Sequence, residues 1–396
     1  MAFVDQPVPD FPAESRRRLS IALYLIIAFL YWVSLFLYVP TLSTYIQSNL
    51  GNLALVGVIL SMYGLWQGLV RIPLGIVTDH LGRRKPFILA GLVLAGAGAW
   101  LMGVAGGANE FLVGRSLTGL AAGAWVPLLV VFSGLFPLND AIRATTWLTV
   151  ANSVGRVLAT GLTGAVNNWQ GPATTFMVAA VIAGLAMLLV LPAYEPRHPV
   201  RPLSGQRIRQ LFSRRDILLP SLLAALLQYV NWSTTLGFNP ILARQLGGSD
   251  VTQSLLISMN IGIAIIGNLM TASTVKTIEP RRLLYVSFGI LATGVGLAAL
   301  APSLWFLFVA QFFLGLGEGL IYPLVMGLSI KRVIYSERNT AMGLHQTIYA
   351  IGTFAGPWLS GQFAAAIGLR ATYGLMAVLV LGLSWLIVSR LEYVNE

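Results

Sequence analysis

Four of the ionisable side chains inside the long apolar runs of this 396-residue chain stand out: Arg115, Arg156, Glu318 and His345. An ionised group at mid-bilayer costs roughly 2.5–3.5 kcal/mol on insertion scales, so such residues are expected to face a cavity or a partner. Glu318 is the one acid placed deep in a run, and its neighbours Gly317 and Gly319 leave room for solute or water. An isolated acid of this kind can load and release a proton as its access to water changes. Its plainer alternatives are an ion pair with Arg156 or hydrogen bonds to helix-end carbonyls. Arg115 and Arg156 carry planar forked donors suited to an anionic group. Arg115 reads equally as a buried brace bonded to carbonyls, and Arg156 as a partner of the opposite half of the chain. His345 can titrate or simply hydrogen-bond. Glu318 and His345 are therefore the candidates for proton coupling.

Aromatic and amide residues extend the set. Tyr31 and Tyr38 are seven residues apart, and Gln228, Asn231 and Trp232 share part of one predicted helix, so each group can project from one helix face. Tyr31, Arg115, Arg156, Gln228, Asn231, Trp232 and Glu318 form the candidate substrate cavity. Tyr38 reads equally as an anchor at a membrane interface. No paired acids, nucleophile constellation or glycine-rich phosphate loop is found, which argues against a hydrolase or an ATPase. Cysteine is absent and His80, His198 and His345 are scattered, so neither a metal site nor another cofactor is expected.

The elements that position these residues follow from composition. The chain is 56% hydrophobic with 41 glycines and a mean hydropathy of +0.77, which places it in a bilayer. A spanning helix needs roughly 20 apolar residues. Twelve such runs occur, near 20–46, 53–77, 87–105, 110–133, 144–166, 173–192, 217–239, 253–275, 281–300, 303–329, 340–365 and 369–390. The fold class is all-α integral membrane. The polar first run of residues shows no cleavage site, so no removable signal peptide is expected. With both termini placed in the cytoplasm, twenty of the 25 Lys and Arg fall in inner segments and only Arg244 and Arg370 in outer loops. That bias explains the net charge of +11 without nucleic acid.

Between the sixth and seventh runs lies "EPRHPVRPLSGQRIRQLFSRRD", rich in proline and arginine, which reads as a linker. On its two sides "GLAAGAWVP" at 119–127 matches "GLGEGLIYP" at 315–323, and "GPATTF" ending at Phe176 matches "GLRATY" ending at Tyr373. Six helices are written twice. The expected division is a tail at 1–19, a six-helix bundle at 20–192, a basic linker at 193–216, a second six-helix bundle at 217–390 and a tail at 391–396.

One short turn holds the densest charge, "GIVTDHLGRRK" at 75–85. A duplicated six-helix bundle with this turn after helix two resembles the major facilitator superfamily of secondary transporters. Gly75, Asp79, Gly82, Arg83 and Arg84 fill the family's loop pattern. The resemblance implies a gate in which Asp79 faces the start of helix eleven, near Asn339 and Thr340, and Arg83 pairs with Asp140. "RSLTGLAAG" from Arg115 is similar to the family's helix-four motif. The antiporter motif is degraded in helix five, at Gly155, Ala159 and Thr160, and intact in helix eleven as "GTFAGP", with Gly352, Gly356 and Pro357. The second copy of the loop, "TVKTIEPRR", lacks its glycine and aspartate. The resemblance implies alternating access around a midplane site by a monomer in a bacterial inner membrane, with a small molecule and protons as partners besides the lipid bilayer. Proton-coupled efflux is the leading expectation. A carrier of an anionic amphiphile and a non-transporting receptor or assembly factor are the alternatives.

Overall fold

Inside hydrocarbon every backbone N–H and C=O must be satisfied within the protein, and a helix does this residue by residue. The computed structural model describes residues 13–137, 140–196, 214–275, 277–333 and 338–391, apart from the side chains of Asp79, 141–143 and 338–340. Among these residues the chain forms twelve long helical segments. They are α1 (Glu14–Leu50), α2 (Leu53–Leu81), α3 (Lys85–Gly103), α4 (Ala108–Ser133), α5 (Ala141–Gln170), α6 (Pro172–Val190), α7 (Arg215–Gln245), α8 (Asp250–Thr274), α9 (Pro280–Leu300), α10 (Leu304–Lys331), α11 (Arg338–Ile367) and α12 (Leu369–Ser389). They follow the twelve runs read from the sequence, with the largest differences at the start of α1 and the end of α7. Ten are long and apolar enough to cross a bilayer on their own composition, while α5 and α11, 30 residues each, are more polar.

Three segments are interrupted. α1 breaks between Phe36 and Val39, ahead of Pro40, α4 breaks between Ala122 and Trp125, and α7 passes through a π-helical turn at Thr234–Phe238. The connections between helices are tight. Gly171 (φ +91°) joins α5 to α6 and Gly368 (φ +86°) joins α11 to α12, so the duplicated sequence makes the same left-handed turn twice. Gly82 (φ +62°, ψ +12°) ends α2 differently, in a left-handed helical cap.

The basic turn after Gly82 is fastened to the end of α6. The Glu195 carboxylate accepts from the backbone N–H of Arg84 and, at 3.1 Å, from that of Lys85. A carboxylate here answers orphan donors and the positive end of the α3 dipole together. Lys85 Nζ then donates to the carbonyls of Leu191 (2.6 Å) and Ala193 (2.9 Å).

Close backbone contact joins the earlier helices to the later ones. On α2 a Cβ at Gly64 would lie 2.6 Å from the backbone of Thr353 and Phe354, and one at Gly68 would touch Ala350 Cβ at 3.0 Å. Gly57 packs on the Pro357 carbonyl and on Gly361. Helix α11 packs as tightly on α7, where Gly352 meets the Ala225 carbonyl and Gly356 would meet Tyr229 O at 2.6 Å. The glycines and proline of "GTFAGP" thus seat α11 against two neighbours at once.

Among the described residues, hydrogen bonds between the first six helices and the last six cluster at the end opposite the 82–85 turn. Thr160 Oγ1 and Ser258 Oγ are 2.8 Å apart, and Gly164 N donates to Ser254 Oγ at 2.7 Å. Asn167 Nδ2 donates to Asp250 Oδ2 (2.7 Å) and to Thr41 Oγ1 (3.0 Å), and Thr44 Oγ1 is 2.9 Å from the Gln253 amide. At the other end Arg83 is exposed, and among the described residues no ion pair joins it to Asp140. The expected partners Asn339 and Thr340, with the Asp79 carboxylate, lie outside the described side chains. The bundle is therefore tied shut at one end.

Overpacking of a close helix contact costs about 1–3 kcal/mol. Gly352→Ala is expected to lower the thermal midpoint of the purified protein by several degrees. Gly75→Ala, where nothing lies within 4 Å of the added Cβ, should leave it unchanged or slightly raised. Equal midpoints for the two variants, read in one detergent, would contradict this packing.

Candidate functional site

The interior between the first and last six helices collects the polar side chains that the apolar runs carry. From α2, Tyr63, Gln67 and Arg71 recur at intervals of four and lie on one helix face. α4 contributes Arg115, α5 Arg156, α7 Gln228, Asn231 and Trp232, α10 Glu318 and Tyr322, and α11 Tyr349.

Arg115 is 1% exposed, and its guanidinium lies over the Tyr63 ring at 4.4 Å and the Trp232 ring at 5.8 Å. Those rings stack on each other at 4.9 Å, so one cation and two aromatic faces join α4, α2 and α7. Its Nε and Nη1 have no hydrogen-bond partner among the described residues. Arg156 stands over Phe36 at 4.5 Å and Trp32 at 5.9 Å. Its charge acts on Glu318 across the boundary between the two sets of helices, although no ion pair within 4.0 Å joins them.

Glu318 is half-buried, and its Oε1 accepts from Asn231 Nδ2 at 3.0 Å. The room expected beside it is not where the sequence suggested. Gly317 packs against Leu291 of α9 and Gly319 against the Ala264 backbone of α8, so both glycines serve helix packing. Trp232 Nε1 donates to Gln228 Oε1 at 3.1 Å, one turn back on α7. Tyr31 is buried, with its hydroxyl donating to the Ala121 carbonyl at 2.8 Å, which pins α1 on α4.

His345 sits apart from this group. It is buried between α11 and α7, its Nδ1 3.0 Å from Ser221 Oγ, beside a small apolar cluster of Ile217, Leu344 and Ile348. Among the described residues no three His, Cys, Asp or Glu gather as metal ligands.

Sequence reading missed Arg71, Gln67 and Tyr63. Arg71 is half-buried, one turn beyond the buried Gln67 on the α2 face that also carries Tyr63. The available signal was the four-residue spacing on α2. The interior as a whole can hold a solute between aromatic faces while offering several forked donors and one carboxylate.

Comparison with known proteins follows this geometry. The sequence model of the Major Facilitator Superfamily matches residues 24–227 and again 221–395. The chain is 23% identical over 343 residues to the inner membrane transport protein YajR of Escherichia coli, covering 84% of this chain and 75% of that one. It is 24% identical over 370 residues to the multidrug resistance protein MdtG of Dickeya zeae, covering 89% and 90%. A chloramphenicol efflux pump of Mycobacterium tuberculosis is 24% identical over 375 residues, covering 90% and 89%. Among solved structures, a bacterial homolog of the human lysosomal transporter Spinster in an inward-facing and occupied conformation superposes with a TM-score of 0.83 at 16% identity, over 96% of this chain and 97% of that one. The nucleoside transporter NupG gives 0.79 at 16% identity, over 95% and 100%. Two family matches that together span the twelve helices make this chain a member of the Major Facilitator Superfamily, a multi-pass secondary transporter that works by alternating access and not an enzyme.

Proposed function

We propose that the protein exports a small organic solute in exchange for protons. The observation that carries this reading is Glu318, the one interior carboxylate among the described residues, held by Asn231 and within reach of the Arg156 charge from the opposite set of helices. The relatives named as a multidrug resistance protein and a chloramphenicol efflux pump support the outward direction. The excess of Lys and Arg around the 82–85 turn favours a cytoplasmic location for that end and for both termini. The tied end then faces outward, and the solute enters from inside. Residues 20–192 and 217–390 move as two units joined by the linker at 193–216, with Asp79 and its basic neighbours forming the inner gate. One chain suffices.

In this cycle Glu318 releases its proton toward the cytoplasm as solute binds, and it takes up a proton from outside after the solute leaves. Glutamine fixes the neutral form. Glu318→Gln should therefore abolish pH-driven accumulation in proteoliposomes, tested with cationic, neutral and anionic aromatic solutes including chloramphenicol. Exchange between compartments of equal pH should persist. A Glu318→Gln protein that still concentrates solute in response to the gradient removes this residue from coupling.

The outer closure yields a second test. A hydrogen bond contributes about 1 kcal/mol, roughly a fivefold change in a two-state population. Asn167→Ala removes the bonds to Asp250 and Thr41 and should favour the outward-open state. The chain has no cysteine, so Gly161→Cys, at the contact of α5 with α8, provides a single reporter. Its labelling by a membrane-impermeant maleimide from outside should rise several-fold in the Asn167→Ala background. Unchanged labelling would assign the Asn167 bonds to helix packing alone.

A further inference from the structure

The interior holds three guanidinium groups, Arg71, Arg115 and Arg156, and among the described residues Glu318 is the one carboxylate that faces them. With Glu318 ionised, two of the three positive charges have no carboxylate to answer them among the described residues. Donor atoms are idle as well. Nε and Nη1 of both Arg71 and Arg115, and Nε of Arg156, are shielded from solvent without a hydrogen-bond partner among the described residues. Gln67, 6% exposed and one turn from Arg71 on the same face of α2, has its Oε1 unpartnered too. Buried donors left unmade are costly, and so is uncompensated charge, and both are concentrated where a solute would sit.

The aromatic surroundings define the rest of the ligand. Trp32 and Phe36 flank Arg156, Tyr63 and Trp232 lie beside Arg115, and Tyr322 of α10 and Tyr349 of α11 meet edge to face at 6.4 Å. A cationic solute would meet a surplus of its own sign here. An oxyanion answers the surplus and takes two parallel N–H donors from one guanidinium.

Building on the transporter reading, we infer that the solute carries an oxyanion, a carboxylate or a phosphate, beside an aromatic or apolar body, and that Arg71 with Gln67 selects for that group. Arg71 is the cation least committed to the protein. Arg115 lies over the stacked Tyr63 and Trp232 rings and Arg156 over Phe36 and Trp32, whereas among the described residues no ring contact, ion pair or hydrogen bond holds the Arg71 guanidinium.

The test uses purified full-length protein and isothermal titration with four matched probes: 2-naphthoate, naphthyl phosphate, 2-naphthamide and a naphthylmethylamine. At least one of the two anions should bind at least tenfold more tightly than the amide, and the amine more weakly still. Arg71→Gln should raise the anion Kd tenfold or more while changing that of the amide less than twofold, and Arg71→Lys should recover only part of the loss. Gln67→Leu serves as a second variant should Arg71→Gln fail to fold, with the same selective loss expected. Amide or amine binding as tight as the anions, no saturable binding of either anion, or equal weakening of anion and amide in both variants would overturn the inference. Flux in proteoliposomes separates the two readings: if no probe crosses, the transport reading fails, while the ranking of Kd values still decides the charge of the ligand.

Discussion

Backbone-to-backbone contact along α11 is the constraint on which the rest of the molecule depends. Lipid tails are as apolar as leucine side chains, so helices in a bilayer gain little from burying apolar surface and must be held by packing. Glycines at 57, 64 and 68 on α2, and at 352, 356 and 361 on α11, let main chains approach to a distance that any larger side chain would forbid. The contact also fixes rotation. With Gly64 and Gly68 turned to α11, Tyr63, Gln67 and Arg71, which precede or follow them on the adjoining face, are directed to the interior. The same device on α10 turns Gly315 and Gly319 to α8 and Gly317 to α9, leaving Glu318 facing inward. Small residues on one face thus aim the functional residues on the next.

This explains which features the sequence made legible. Twelve spans follow from apolar length alone, and the duplication survives as matched turns at Gly171 and Gly368. Glu318, Arg115 and Arg156 stand out because a charge is rare in such runs. Partnerships were hidden. Glu195 looked like the first residue of a polar linker, yet it caps α3 more than 100 residues earlier in the chain, a contact that only the closure of the bundle creates. Arg71 stands inside the second apolar run as Arg115 does inside the fourth, but its place beside Gln67 and Tyr63 appears only once α2 is folded. The π-helical turn of α7 and the breaks of α1 and α4 each fall just ahead of a proline, Pro240, Pro40 and Pro127, so local sequence marked where the helices are interrupted but not the form each interruption takes. His345 was visible as an ionisable residue, but its place between α11 and α7 beside Ser221 depended on the angle at which those helices cross.

Charge in the interior is arranged by unequal commitment. Arg115 is covered by two rings and contributes to holding three helices together. Arg156 faces phenylalanine and tryptophan on one side and Glu318 on the other. Arg71 has its Nε and Nη1 without a hydrogen-bond partner among the described residues. In a region of low dielectric each of these cations would be expensive if the space before it stayed empty. An interior that opens to water at one end meets that expense with solvent, and an interior that closes must meet it with ligand or with Glu318. Closure and occupancy are coupled by electrostatics before any specific contact is counted.

That coupling bears on how the two ends alternate. The closed end is held by a handful of neutral and charge-assisted hydrogen bonds, from Thr160, Gly164 and Asn167 to Ser258, Ser254 and Asp250, together with close packing at Gly164. Each bond contributes on the order of 1 kcal/mol. Their sum is comparable with the differential affinity a bound solute can supply, which is the most that any ligand can contribute to a conformational shift. A far stronger lock, such as an interdigitated apolar core, would hold one state regardless of what occupied the interior. Polar bonds that water can replace at the outer end, and glycine contacts that can slide along α2 and α11 in the middle, therefore suit a molecule whose two states must remain close in free energy.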